Sequence, residues 1–161
     1  MKRKIMFLVG FVLLFGVATK AQILKPASWN FTVKKIKADL YELHMSATIR
    51  DGWAVYSQWT PEGGPEPTVI SFDKNPNLLL GGKVKELGTM KKKHEEVFDV
   101  DVHYFEKTVD FVQVLKIKNP SLATPSLPKG ARGMISGKIN YMVCDKSQCI
   151  TDEVGFNVLL K

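Results

Sequence analysis

The sequence predicts an all-β fold, and three observations carry that prediction. Apolar and polar residues alternate with period two through almost everything after Trp29, no stretch sustains the i, i+3, i+4 spacing of an amphipathic helix, and turn-forming residues punctuate the chain at intervals of about ten residues. About eight or nine short strands arranged in this way predict an immunoglobulin-like antiparallel β-sandwich, with no internal repeat and no domain boundary.

Each element follows from its own residues. Trp29, Phe31 and Val33 alternate with polar neighbours, and Tyr41, Leu43, Met45, Ala47 and Ile49 form one face opposed by Glu42, His44, Ser46, Thr48 and Arg50. Both segments therefore read as half-buried strands. Asp51-Gly52 is a tight turn, because glycine tolerates positive φ, and it delivers the chain into a strand from Trp53 to Tyr56. The Pro/Gly-rich stretch 61–67 is a loop. Strands are expected over 68–72 and 78–87, separated by Asn75-Pro76-Asn77, with Gly81-Gly82 marking a bulge in the second. Lys91-Lys92-Lys93, followed at once by His94-Glu95-Glu96, reads as a solvated loop in preference to a basic patch for an anionic partner, and Lys83 and Lys85 read as the wet face of a strand. Segments 97–104 and 108–118 are expected to pair as a hairpin around Glu106-Lys107, and 119–130, with three prolines, is a loop. Strands over 134–144 and 153–160 close the chain.

The amino end carries Lys2-Arg3-Lys4, an apolar run from Ile5 to Val17, and then Ala18-Thr19-Lys20-Ala21, which is the order of a secretory signal peptide cleaved after Ala21. The run is short for a hydrocarbon core of about 30 Å, which disfavours an uncleaved anchor. Gln22, not cysteine, follows the cleavage point, so lipid modification has no attachment site there. Residues 22–161 then form one exported domain, long enough to bury a core without staples and with no membrane insertion of the mature form. Four of the 23 basic residues and none of the 16 acidic ones lie within 1–21, so the formal net charge falls from +7 to +3 on cleavage. That balance speaks against nucleic acid as a partner.

Two cysteines, Cys144 and Cys149, enclose Asp145-Lys146-Ser147-Gln148 at the tip between the last two strands. Across such a tip the sulfurs can meet, and an exported chain lives where disulfides persist. A structural bridge, an exchange-active pair and a metal site compete as readings. Closing a loop of about six residues constrains the unfolded chain by only about 2 kcal/mol, so a staple gains little here. A bridge at an exposed tip, by contrast, is reachable by an attacking thiolate. The neighbours do not decide reactivity, because Asp145 disfavours a nearby thiolate and Lys146 favours one. His44, His94 and His103 are scattered over three segments and the cysteines lack C-x-x-C spacing, so no metal is expected. Nor does any nucleophile elbow or motif-placed pair of carboxylates speak for a hydrolase.

Three segments, in order, resemble the amino-terminal periplasmic domain of the thiol:disulfide interchange protein DsbD, and together they span most of the mature chain. Residues Ile49-Arg50-Asp51-Gly52-Trp53-Ala54-Val55-Tyr56 look like that family's strand, D-G turn and aromatic-bearing strand. His94-Glu95-Glu96-Val97-Phe98 is similar to its H-E-x-x-F cap loop, and Tyr141-Met142-Val143-Cys144 through Cys149 to its redox hairpin. The resemblance implies an immunoglobulin-like fold, a periplasmic location, and a cysteine pair that relays electrons between thioredoxin-like partners without a cofactor. It further implies that Cys149 forms the mixed disulfide while Cys144 resolves it, that Phe98 caps the bridge, and that Glu95 and Glu96 stand where the family's acidic residues lie. Read without it, Phe98, Trp53 and Tyr56 are ordinary core aromatics; the resemblance alone makes Trp53 and Tyr56 site-lining.

Two departures stand out. The cysteines have four intervening residues where better-known members have five, and Thr151-Asp152 replaces the proline pair that often follows the second cysteine. These 161 residues also contain no membrane-spanning electron conduit and no thioredoxin-like C-x-x-C domain, so the electron donor is expected on a separate chain. The competing function is a non-catalytic exported binding domain with an inert hairpin disulfide.

Overall fold

The structure is a computed structural model that describes residues 24–96, 98–118 and 133–160. The expected export segment with its cleavage point, and the expected loop 119–130, lie outside the described residues. Ten strands are described: β1 (Ala27–Lys35), β2 (Leu40–Ile49), β3 (Ala54–Tyr56), β4 (Val69–Phe72), β5 (Leu78–Leu87), β6 (Lys91–Glu95), β7 (Val100–Phe105), β8 (Thr108–Ile117), β9 (Met134–Cys144) and β10 (Cys149–Leu159). Among the described residues no helix is long and apolar enough to cross a membrane.

The strands form two antiparallel sheets, one in the order β1-β2-β8-β5 and the other in the order β10-β9-β3-β7-β6, with β4 also paired to β9. The alternation read from the sequence decides which residues face inward. On β2, Tyr41, Leu43, Met45, Ala47 and Ile49 are buried, and they meet Val55, Phe105, Ile139, Tyr141 and Val143 of the opposite sheet in one core. Trp29 bridges the layers, its ring 5.7 Å from Phe111 and 5.1 Å from Tyr141, centroid to centroid. This is the immunoglobulin-like antiparallel sandwich expected from the sequence.

The bulge at Gly81-Gly82 is present: Gly82 has φ 76° and the β5–β8 register shifts between Gly81 and Lys85. A buried polar residue that the alternation does not announce supports it. Gln113 points into the core from β8 and donates through Nε2 to the Val114 carbonyl at 2.8 Å and to that of Gly82 at 3.4 Å, so backbone acceptors near the broken ladder are satisfied.

Three expectations are corrected. Lys91-Lys92-Lys93 is a strand, β6, because an edge strand pairs on one side only and presents the other to water, where lysines are tolerated and discourage further pairing. Segments 100–105 and 108–117 are not a hairpin. They lie in different sheets, since Lys107 adopts φ 65° and the chain crosses between layers there, leaving β7 beside β3 and β6 while β8 pairs with β2 and β5. The last strand begins at Cys149, four residues earlier than expected, because Cys149 and Cys144 form the final rung of the β9–β10 ladder.

β9 organises its sheet. One edge pairs with β10 along its full length; the other is shared, with β3 opposite Val143 and Cys144 and β4 opposite residues 137–140. Gly137 permits that crowding. A Cβ there would collide with the Ser71 carbonyl and come within 2.7 Å of the Phe156 ring. Gly137→Ala is therefore expected to destabilise the protein by about 1–3 kcal/mol in urea denaturation, by overpacking. Gly155→Ala, where the nearest heavy atom would be 3.9 Å away, is expected to be close to neutral.

Candidate functional site

The site is built by strand parity on the outer face of the β9-containing sheet. Val143 and Val55 point into the main core, so Cys144 and Tyr56 point the other way. Cys149 stands opposite Cys144 in register, and residues directly opposed across an antiparallel pair project to the same face. The two are joined, S–S 2.04 Å, with Cα atoms 4.1 Å apart. Cys144 is buried and Cys149 is exposed.

Asp145 shapes the tip. Its Oδ1 accepts from the Ser147 amide at 2.7 Å, the Ser147 hydroxyl at 2.8 Å and the Gln148 amide at 2.9 Å, while the Asp145 amide donates to the Gln148 carbonyl at 3.0 Å. The hydrogen bonds from Ser147, joined by that of Gln148, hold the Asp145 carboxyl below the usual carboxylate range. Its charge is thus engaged by the turn. The Asp-x-Ser pattern was the sequence signal for this Asx-type turn.

Beneath the tip lies a small second cluster, Tyr56, Val102 and Cys144, with Val100, Tyr104 and Met142 packed against it. A depression of 260 Å³ opens over it, lined by both cysteines, residues 145–148, Tyr56, Pro65, Lys93, Glu95 and Phe98. Lys93 reaches in from β6: its Nζ is 2.7 Å from Glu95 Oε2, 5.5 Å from the Tyr104 ring centroid and 6.0 Å from that of Tyr56. Burial opposes charge on Lys93, but the close contact with the Glu95 carboxylate and the attraction of Tyr56 and Tyr104 outweigh it and hold its pKa above the ordinary lysine value. Burial likewise pushes the Tyr56 phenol up, against the opposing pull of Lys93.

Of the residues singled out in the sequence, the fold brings Cys144, Cys149, Tyr56, Glu95 and Phe98 around this depression. Phe98 is 46% exposed, and its amide donates to the Glu95 carbonyl at 3.1 Å, closing a turn just beyond β6. Glu96 is exposed and does not line the depression. Trp53 is 6% exposed in the main core, because it shares the parity of Val55 and lies an odd number of residues from Tyr56. Lys93 was read as part of a solvated run, and only the pairing of β6 with β7, which sets Lys93 opposite Val102, gives it a place in the site.

His44, His94 and His103 lie on β2, β6 and β7. The first faces Asp110, Nδ1 to Oδ2 2.7 Å, and the second stands between Asp99 and Asp101 at 3.3 and 3.1 Å. Among the described residues no group of three or more His, Cys, Asp or Glu side chains is placed to hold a metal ion.

No family model matches the chain, and no curated protein matches it significantly. Among solved structures, the N-terminal periplasmic domain of ScsB from Proteus mirabilis overlays with a TM-score of 0.59 at 15% identity, covering 85% of this chain and 47% of that one. The fold is shared with that domain. This chain spans about half the length of the ScsB structure. Weaker overlaps, each with a TM-score of 0.47, are found with the reduced N-terminal domain of DsbD from Neisseria meningitidis (13% identity, 81% of this chain and 84% of that one) and with the yeast GGA1 GAE domain (6% identity, 86% and 96%).

The Asp145 turn has a pH signature. A carboxyl whose pKa is depressed by folding contributes stability that is complete above its unfolded value and is lost as pH falls through the folded one. The Ser147 and Gln148 amide signals in nuclear magnetic resonance are expected to hold their positions down through the ordinary aspartate range and to shift only at lower pH. In Asp145→Asn that transition is expected to vanish.

Proposed function

We propose that this chain is an exported thiol:disulfide interchange module, working in the periplasm, that relays electrons through Cys144 and Cys149 between thioredoxin-like partners. The observation that carries the reading is the asymmetry of the bridge: one sulfur belongs to an exposed residue at a hairpin tip, the other to a buried residue, and both border an aromatic-lined depression. An incoming thiolate must approach along the S–S axis, and the exposed end is the one it reaches. The signal-like amino end and the fold shared with a periplasmic ScsB domain support the location.

The electron count closes without a cofactor. A thiolate of a partner dithiol attacks Cys149 Sγ, the Cys144–Cys149 bond breaks, and Cys144 departs with the electron pair and takes a proton from water. The partner's second thiolate then attacks the partner's own sulfur in the mixed disulfide and releases Cys149, so this chain gains two electrons and the partner becomes oxidised. Delivery to the next partner runs in reverse, with Cys149 attacking and Cys144 resolving.

Phe98 is the lid of this scheme. A half-exposed ring bordering the cysteines shields them from small polar thiols and gives way when contacts with a docked partner offset its displacement.

With Cys144→Ser, Cys149 is expected to capture a thioredoxin-like protein as a persistent mixed disulfide visible on a non-reducing gel, since the resolving thiol is gone. Cys149→Ser is expected to capture far less. Equal trapping by the two variants discards the assigned roles, and none by either leaves the bridge inert.

Phe98→Ala is expected to accelerate reaction of the oxidised pair with a small thiol and of the reduced pair with an alkylating reagent. It is expected to cost far less stability than the about 3–5 kcal/mol of a core Phe→Ala change, because almost half the ring is already in water. Unchanged rates with a large loss of stability would overturn the lid.

A further inference from the structure

We propose that Lys93 is a positioning residue that latches the segment bearing Phe98 over the disulfide; the inference rests on the exchange reading and adds the element that keeps the lid shut.

Strand parity places Lys91, Lys93 and Glu95 on one side of β6, the side that faces the cysteine depression. Lys91 is held away from it by Glu106, Nζ to Oε2 2.5 Å, and Lys92, of opposite parity, by Asp101 at 2.8 Å. Lys93 alone of the three lines the depression. Its ammonium has two attachments of different kinds. One is to the sheet floor, the ring faces of Tyr56 and Tyr104 at 6.0 and 5.5 Å, where the negative face of an aromatic quadrupole attracts a cation. The other is the Glu95 carboxylate at 2.7 Å.

Glu95 is where the lid begins. Its carbonyl accepts the Phe98 amide at 3.1 Å, and Asp99 immediately beyond adopts φ 54°, turning the chain back into β7. The floor belongs to β3 and β7 and does not move with the lid. The Lys93 ammonium therefore joins the aromatic surface to the last residue of β6, from which the Phe98 turn departs, with the Glu95 side chain 23% exposed and that of Lys93 41% exposed. Glu95 Oε2 is itself buried, so Lys93 is the group that compensates its charge, while the exposed lysine end leaves the pair open to competition, as a releasable latch needs to be.

The test is the rate at which the oxidised full chain reacts with a small thiol such as glutathione, which needs no protein partner. Lys93→Met, which keeps the apolar stem, and Glu95→Gln are each expected to raise that rate about fivefold, while Lys93→Arg is expected to stay within about twofold of the parent because both attachments survive. Added salt is expected to accelerate the parent and leave Lys93→Met unchanged. The deciding measurement is a double-mutant cycle: once Phe98→Ala has removed the lid, Lys93→Met is expected to have no further effect. A Lys93→Met effect of equal size with and without Phe98, or none in the parent background, overturns the latch. Neither result touches the partner-trapping outcome, so the exchange reading stands or falls separately.

Discussion

The register of β9 is the constraint from which the rest of the structure follows. The strand is paired along one edge by β10 and along the other by β3 and then β4, so it has no freedom to slip. A slip of one residue would carry Ile135, Ile139, Tyr141 and Val143 out of the core and Cys144 into it. Core burial thus fixes the direction in which the cysteine points. The final rung of the same ladder sets Cys149 opposite, so the energy that orders the sandwich also aligns the two sulfurs.

That arrangement separates stability from chemistry. The main core lies between the sheets, whereas the cysteines sit outside it on a small cluster of Tyr56, Val102 and Cys144. A depression opens over this cluster, and among the described residues the turn after β6 shows the Phe98 amide donating to the Glu95 carbonyl, with Glu95 itself facing Lys93. Segments tied down so lightly open at a small fraction of the global unfolding free energy. The lid proposed for Phe98 would need that property, and its place on the outer face of a sheet whose inner face carries the main core would supply it without loosening the fold.

Much of this was legible from the order of residues. The alternation from Tyr41 to Ile49, the turn at Asp51-Gly52 and the bulge at Gly81-Gly82 are local signals, and each produced the expected element because burial of one sheet face rewards the period the sequence writes. Opaque regions were those in which one local pattern is compatible with two partners. Glu106-Lys107 between two apolar runs has the look of a hairpin, yet the runs pair with other strands in separate sheets. Three consecutive lysines have no apolar face to announce a strand, and β6 exists because β7 offers it a ladder.

For the candidate site the division is similar. The sequence by itself determined that two cysteines flank a four-residue tip between alternating strands, because hairpin geometry and strand period are properties of neighbouring residues. Only the tertiary structure decided what surrounds them. Trp53 and Tyr56 are three residues apart and chemically alike, but Trp53, just before β3, enters the core while Tyr56, at its end, lies beneath the disulfide. Lys93 and Phe98 reach the same depression from β6 and the turn beyond it, across β7 and β3 from Cys144, a proximity set by long-range strand order that no stretch of the chain encodes locally.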